Sequence, residues 1–169
     1  LLSRTTAMVE KYHDGLVPQA GPEEEVDKDL KAVQKKTLPD LEQYMQDFDF
    51  QHGLESIWTL IRRSNKYIDE TAPWALAKEE KTERLGTVLY RLMDALRSIA
   101  TLLIPFMPET SEEMFRQLGI EKMAFESASE IDRYPAGNKV NRGDALFPRL
   151  EVEKELARFH EANNRLIAE

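Results

Sequence analysis

The chain has 169 residues, 41% hydrophobic and 32% charged, enough for one domain with a real core and unlike a disordered or membrane chain. It has no cysteine, which rules out a disulfide framework or a thiolate metal site and fits a reducing cytoplasm. A net charge of −8 argues against nucleic-acid binding by bulk phosphate neutralisation, and no apolar run reaches bilayer length: the stretch 99–107 is short and broken by Pro105.

The opening LLSRTTAMVEKY already has a helical pattern, without an initiator methionine or the basic-then-apolar order of a signal peptide. It is therefore expected to belong to a piece of a longer protein. Leu1, Thr5, Met8, Val9 and Tyr12 recur at three- and four-residue spacing and predict a helix that ends at the Asp14-Gly15 turn. Arg4 falls at the edge of that helix's apolar face. Its stem can rest on the core while its fork of donors points outward; the plain alternative is an ordinary surface arginine.

Beyond Gly21-Pro22, three glutamates (Glu23, Glu24 and Glu25) supply the negative first turn of a second helix, which Pro39 is expected to separate from another near 40–48. Leu54, Ile57, Trp58, Ile61, Asn65 and Ile68 then form a stripe. That stripe places Trp58 in the core and makes Asn65 an amide in need of a partner, such as the loop backbone near Pro73. Tyr67 lies one position off the stripe and is compatible with burial or exposure. Arg62, Arg63 and Lys66 form a small basic cluster of the kind that is usually solvated.

A long helix over 79–104, apolar beyond a single stripe, is expected to be the central and most buried element. Pro105 and Pro108 stop it, and Thr110 with Glu113 fits a capping box for a helix running to about Leu118. Residues 133–150 are rich in Gly, Pro and Asn and read as an ordered irregular segment. A last helix over 151–168 carries Val152, Leu156, Phe159 and Leu166. Nothing alternates with period two, so the expected fold is all-α, an antiparallel helical bundle. Residues 1–132 would form the bundle, and residues 133–169 a connecting segment with a C-terminal helix packed on it.

His13, His52 and His160 are scattered, without metal-ligand spacing, and no catalytic or phosphate-loop motif occurs. Adjacent carboxylates such as Glu112-Glu113 read as a solvated face. No catalytic, metal or cofactor site is expected in this chain. Acid is concentrated in 37–53 and 108–132, which leaves 54–79 balanced and 133–150 basic.

Pro73 suits the first position of a helix, where its missing N–H costs nothing. Trp74 then follows in the first turn, among backbone donors that could face an anion. Such a ring suits an unstacked base, a contact worth about 1–3 kcal/mol. The competing reading buries Trp74 as a staple between two helices, which would leave an acidic helical module for protein–protein interaction. Solvent exposure of Trp74 separates the two.

The stretch NKYIDETAPWALAK resembles the N-x-Y-I-x-x-x-x-P-W-x-x-A-K element in the anticodon-binding domain of methionyl-tRNA synthetases, a class I family. It matches at Asn65, Tyr67, Ile68, Pro73, Trp74, Ala77 and Lys78. LLSRTTAMVEKYHDG, LIPFMPETSEEMFRQLG and DALFPRLE are similar to further parts of that domain. The resemblance implies that Trp74 stacks on an anticodon base and that Arg4 reads base edges, with Asn65, Tyr67, Arg62 and Arg63 as lesser RNA-binding candidates. The family's asparagine four residues before that arginine would fall just ahead of Leu1. The family's ATP-binding H-I-G-H and K-M-S-K-S segments do not occur here. The resemblance thus implies a non-catalytic domain of a methionine–tRNA ligase that recognises the CAU anticodon stem-loop. ATP and Mg²⁺ would belong to the parent's catalytic domain, and neither DNA nor membrane would be a partner.

Overall fold

Every regular element in the computed structural model is helical; it describes residues 1–149 and 151–167, with side chains as far as residue 161. The order is α1 (Leu2–His13), α2 (Glu25–Gln46), α3 (Phe50–Thr71), α4 (Pro73–Lys78), α5 (Thr82–Leu103), α6 (Pro108–Leu118), a 3-10 turn (Phe125–Ser129) and α7 (Val152–Ile167). The all-α bundle expected from periodicity is what the chain forms, and no helix among the described residues is long and apolar enough to cross a membrane.

α5 is the axle: all nineteen residues from Leu85 to Leu103 are buried. Each fully buried leucine or isoleucine there contributes about 1.5–3 kcal/mol. α2 and α3 form an antiparallel hairpin against it. Gly53 lets the pair approach closely, since a Cβ there would sit 3.2 Å from a Leu41 methyl.

Two expectations about these helices fail. Pro39 does not divide α2, which runs unbroken through it. The ring lies on the exposed face, where the carbonyl freed at Lys35 is open to water. Trp58 is not in the core either; it is 43% exposed and stands at the rim of an apolar cavity of ≈ 380 Å³ with Leu1, Leu103 and Phe147. The buried face of α3 comprises Gly53, Ile57, Leu60, Ser64, Tyr67 and Ile68, so it is rotated from the stripe that the apolar residues suggest. Two of its six members, Gly53 and Ser64, carry no apolar signal.

α6 starts with Pro108 as its first residue, two positions before the expected Thr110 cap. The segment after it is held to α5 by a buried network. The Asp94 carboxylate accepts from the backbone N–H groups of Asp132, Arg133 and Tyr134 at 2.9–3.1 Å and from Gln34 Nε2 at 2.9 Å. Arg97, fully buried, donates to Asp94, Ser127 O and Glu130 O. The expected boundary at residue 132 therefore falls inside a continuous run of contacts to α5.

Leu16 and Lys139 form an isolated antiparallel bridge, flanked by Val17 N–H to Asn138 O at 3.0 Å and Val140 N–H to Gly15 O at 2.9 Å. Gly119 makes room for this clasp: it has φ +68°, and a Cβ there would lie 1.9 Å from Lys139 O. α7 does not pack on the bundle through its predicted stripe, because Val152, Leu156 and Phe159 are 70%, 52% and 68% exposed. The side chain of Leu166 lies outside the described residues.

Candidate nucleic-acid interface

α3 ends because its next residues cannot continue it. A residue before proline is pushed out of the right-handed helical region, and Ala72 turns left-handed at φ 42°, ψ 65°. Its N–H still caps Ile68 O at 2.9 Å, while Ala75 N–H returns to Ala72 O at 2.8 Å to open α4. Pro73 is the first residue of α4 and is buried. Trp74 follows it, 49% exposed. The reading that buried Trp74 as a staple loses its premise: Pro73 fills the packed position and the indole faces water. α4 has six residues, too few aligned dipoles to carry phosphate binding by itself, so stacking is the chief chemistry of this corner.

Arg4 projects outward from α1, as expected, and its Nη2 lies 3.6 Å from Asp69 Oδ1 on α3. Both side chains are more than half exposed, so the pair is weak and open to competition from another acceptor. Asp69 lies in the last turn of α3, so the ion pair ties Arg4 to the helix that ends just before the Trp74 corner. Lys78, one turn beyond Trp74 on α4, is exposed and adds a cation on the same side.

The lesser candidates separate. Tyr67 is fully buried and donates its hydroxyl to Asp27, so it cannot contact RNA. Asn65 does not serve the Pro73 loop; its Nδ2 donates to Ile61 O, 3.0 Å away in the preceding turn. Arg63 is largely covered, pairs with Glu70 at 2.9 Å and donates to Val26 O, which makes it a tie between α2 and α3. Arg62 is exposed but points back along α3 to Glu55 and Thr59. Of the residues given an RNA-binding role from the sequence, Trp74 stands exposed and Arg4 is exposed with only the weak Asp69 pair. Asp69 and Lys78 carried no assigned role, although Lys78 stands in the quoted motif.

An all-α bundle that presents an aromatic ring on a proline-set corner, and an outward arginine on a neighbouring helix, has features that suit a reader of unstacked RNA bases. A family described as the anticodon binding domain of methionyl tRNA ligase matches residues 17–164, and the chain belongs to that family. It is 50% identical over 159 residues to the methionine–tRNA ligase of Caldanaerobacter subterraneus subsp. tengcongensis, covering 93% of this chain and 25% of that protein. It is 44% identical over 161 residues to the methionine–tRNA ligase of Bacillus subtilis, covering 93% and 24%. The apo form of Mycobacterium tuberculosis methionyl-tRNA synthetase superposes with a TM-score of 0.81 at 29% identity, over 89% of this chain and 31% of that one. The chain thus spans about a quarter of the length of the curated relatives it matches.

Proposed function

We propose that this chain recognises the CAU anticodon stem-loop of methionine tRNA, as the RNA-binding domain of an ATP-dependent methionine–tRNA ligase in the cytoplasm. The observation that carries the reading is the half-exposed Trp74 on its Pro73-fixed corner, supported by an exposed Arg4 whose one ion pair, to Asp69, is weak. Bases in an anticodon loop are unstacked and can be splayed onto an aromatic face, while their edges accept or donate hydrogen bonds to an arginine fork. Such recognition needs few phosphate contacts, which reconciles it with a net charge of −8.

The partners in this reading are the tRNA and the ligase's own catalytic domain. ATP and Mg²⁺ are assigned in this reading to that catalytic domain. The bundle together with its clasped segment through about residue 149 would act as one unit, with α7 leading away from it.

The test is a fluorescence titration with a CAU-anticodon stem-loop beside one that differs at a single anticodon base. Tryptophan emission should be quenched by the cognate loop alone. Trp74→Ala should weaken cognate binding by about 1–3 kcal/mol and leave the helical spectrum intact. Equal responses to both loops would reject base recognition, and unfolding of Trp74→Ala would restore the staple.

A further inference from the structure

α4 cannot hold Trp74 in place by itself. A helix of six residues is far below the length at which helices are stable alone. Its entry depends on a non-glycine residue in the left-handed region, Ala72, which costs about 1–2 kcal/mol. Pro73, Leu76 and Ala77 pack α4 on the core, and the roots of the excursion offer a second constraint on the corner.

Both roots meet on one carboxylate. Tyr67, in the last turns of α3, and Arg84, in the first turn of α5, flank the stretch that carries Trp74. Tyr67 donates its hydroxyl to Asp27, and Arg84 Nη1 donates to the same carboxylate at 2.6 Å. Asp27 is itself anchored in α2, where it accepts from Glu24 N–H at 2.7 Å, and none of it is exposed. From Tyr67 the connection runs on toward the ring: Tyr67 O accepts from Thr71 Oγ1 at 2.7 Å, directly before Ala72. Arg84 Nε also lies 3.2 Å from Glu24.

We propose that Asp27 is a positioning residue for anticodon recognition: its buried carboxylate staples Tyr67 and Arg84, the two roots of the α4 excursion, and so sets where the Trp74 ring stands. This rests on the reading that Trp74 contacts a base. A buried Tyr–Asp–Arg cluster is an expensive way to gain stability, because well-packed apolar side chains often do as well or better. What it supplies over apolar packing is direction, since each donor is fixed in angle and distance. Asp27, Tyr67 and Arg84 touch no RNA in this arrangement; they act through Trp74.

The experiment uses the full 169-residue chain carrying Trp58→Phe, so that Trp74 is its one tryptophan. Tyr67→Phe is added, which keeps the ring and removes the hydroxyl. Time-resolved anisotropy of Trp74 without RNA, the urea midpoint and affinity for the CAU stem-loop are then measured. The fast anisotropy component should grow, and cognate affinity should fall about three- to tenfold, a part of the stacking contribution. A control of similar stability loss at the far end of the bundle, Leu41→Val, should leave the anisotropy unchanged. If Tyr67→Phe does not fold, Arg84→Lys tests the other root in the same way. Unchanged Trp74 anisotropy and affinity in a destabilised Tyr67→Phe or Arg84→Lys chain would overturn the proposal and leave the cluster purely structural. If the unaltered chain does not discriminate the two loops, the anticodon reading fails, while the anisotropy still decides whether Asp27 positions the ring.

Discussion

Two exposed cations near the corner do different work, and salt tells them apart. Arg4 is proposed to read a base edge, so Arg4→Gln should narrow the affinity gap between cognate and altered loops more than it weakens generic RNA binding. Lys78 is exposed and, in this proposal, contributes charge alone. Lys78→Ala should weaken all loops alike and lower the salt slope of binding by about one, as read from titrations at several salt concentrations. Asp27 gives a third residue-level outcome. Burial would push its carboxyl up, but bonds from Arg84, the Glu24 N–H and Tyr67 outweigh that and hold it below its ordinary 3.8. A depressed carboxyl stabilises the fold fully above the unfolded value and ceases to do so as pH falls through the folded one. Urea midpoints should therefore drop from about pH 4 downward, and Asp27→Asn should flatten part of that slope. A Pro-Trp pair marks the Trp74 corner and an edge position foresees Arg4's outward fork, while the base-reading roles of both rest on the family resemblance. Asp27 was not legible, because an aspartate in a helix's first turn looks like an ordinary dipole partner.

Helix boundaries and faces explain which elements the chain announces. α5 is evident from its sequence because an all-round apolar helix has no register to mistake. α3 misleads, since a stripe drawn through its large apolar residues omits Gly53 and Ser64 and so turns the helix toward Trp58. Pro39 misleads in the other direction: it forfeits one backbone bond, yet α2 runs through it with the ring on the exposed face and its neighbours Leu38 and Leu41 buried. The tip between α2 and α3 holds a further feature hidden from pattern. Phe48 is left-handed at φ 56° and 78% exposed, in a helix-ending position that glycine normally fills. Asp49 N–H reaches back to Tyr44 O at 2.8 Å to complete that ending. Phe48→Gly should relieve the left-handed cost but give up the edge contact with Phe50, ring centroids 6.5 Å apart. The net change should be a gain of less than about 1 kcal/mol, as measured by urea unfolding.

Across the whole molecule, the Asp94–Arg97 network and the 16–139 clasp make the irregular segment part of the bundle, while α7 stands with its apolar stripe in water. Composition could mark 133–150 as irregular, but not that its backbone would satisfy a buried carboxylate 39 and 40 residues away. Gly119 is the narrowest point of this closure. Gly119→Ala would combine a left-handed side chain with a 1.9 Å clash against Lys139 O, and should cost more than about 2 kcal/mol. Faster amide exchange at Val17 and Val140 would locate the damage at the clasp. The two sides of that clasp are 123 positions apart in the chain. At about 5–20 residues per second of synthesis, roughly 6 to 25 s separate their appearance on a ribosome. For that interval the Leu16 side waits unpaired while α2 to α6 are made, so the clasp closes only after every helix of the bundle proper has been synthesised.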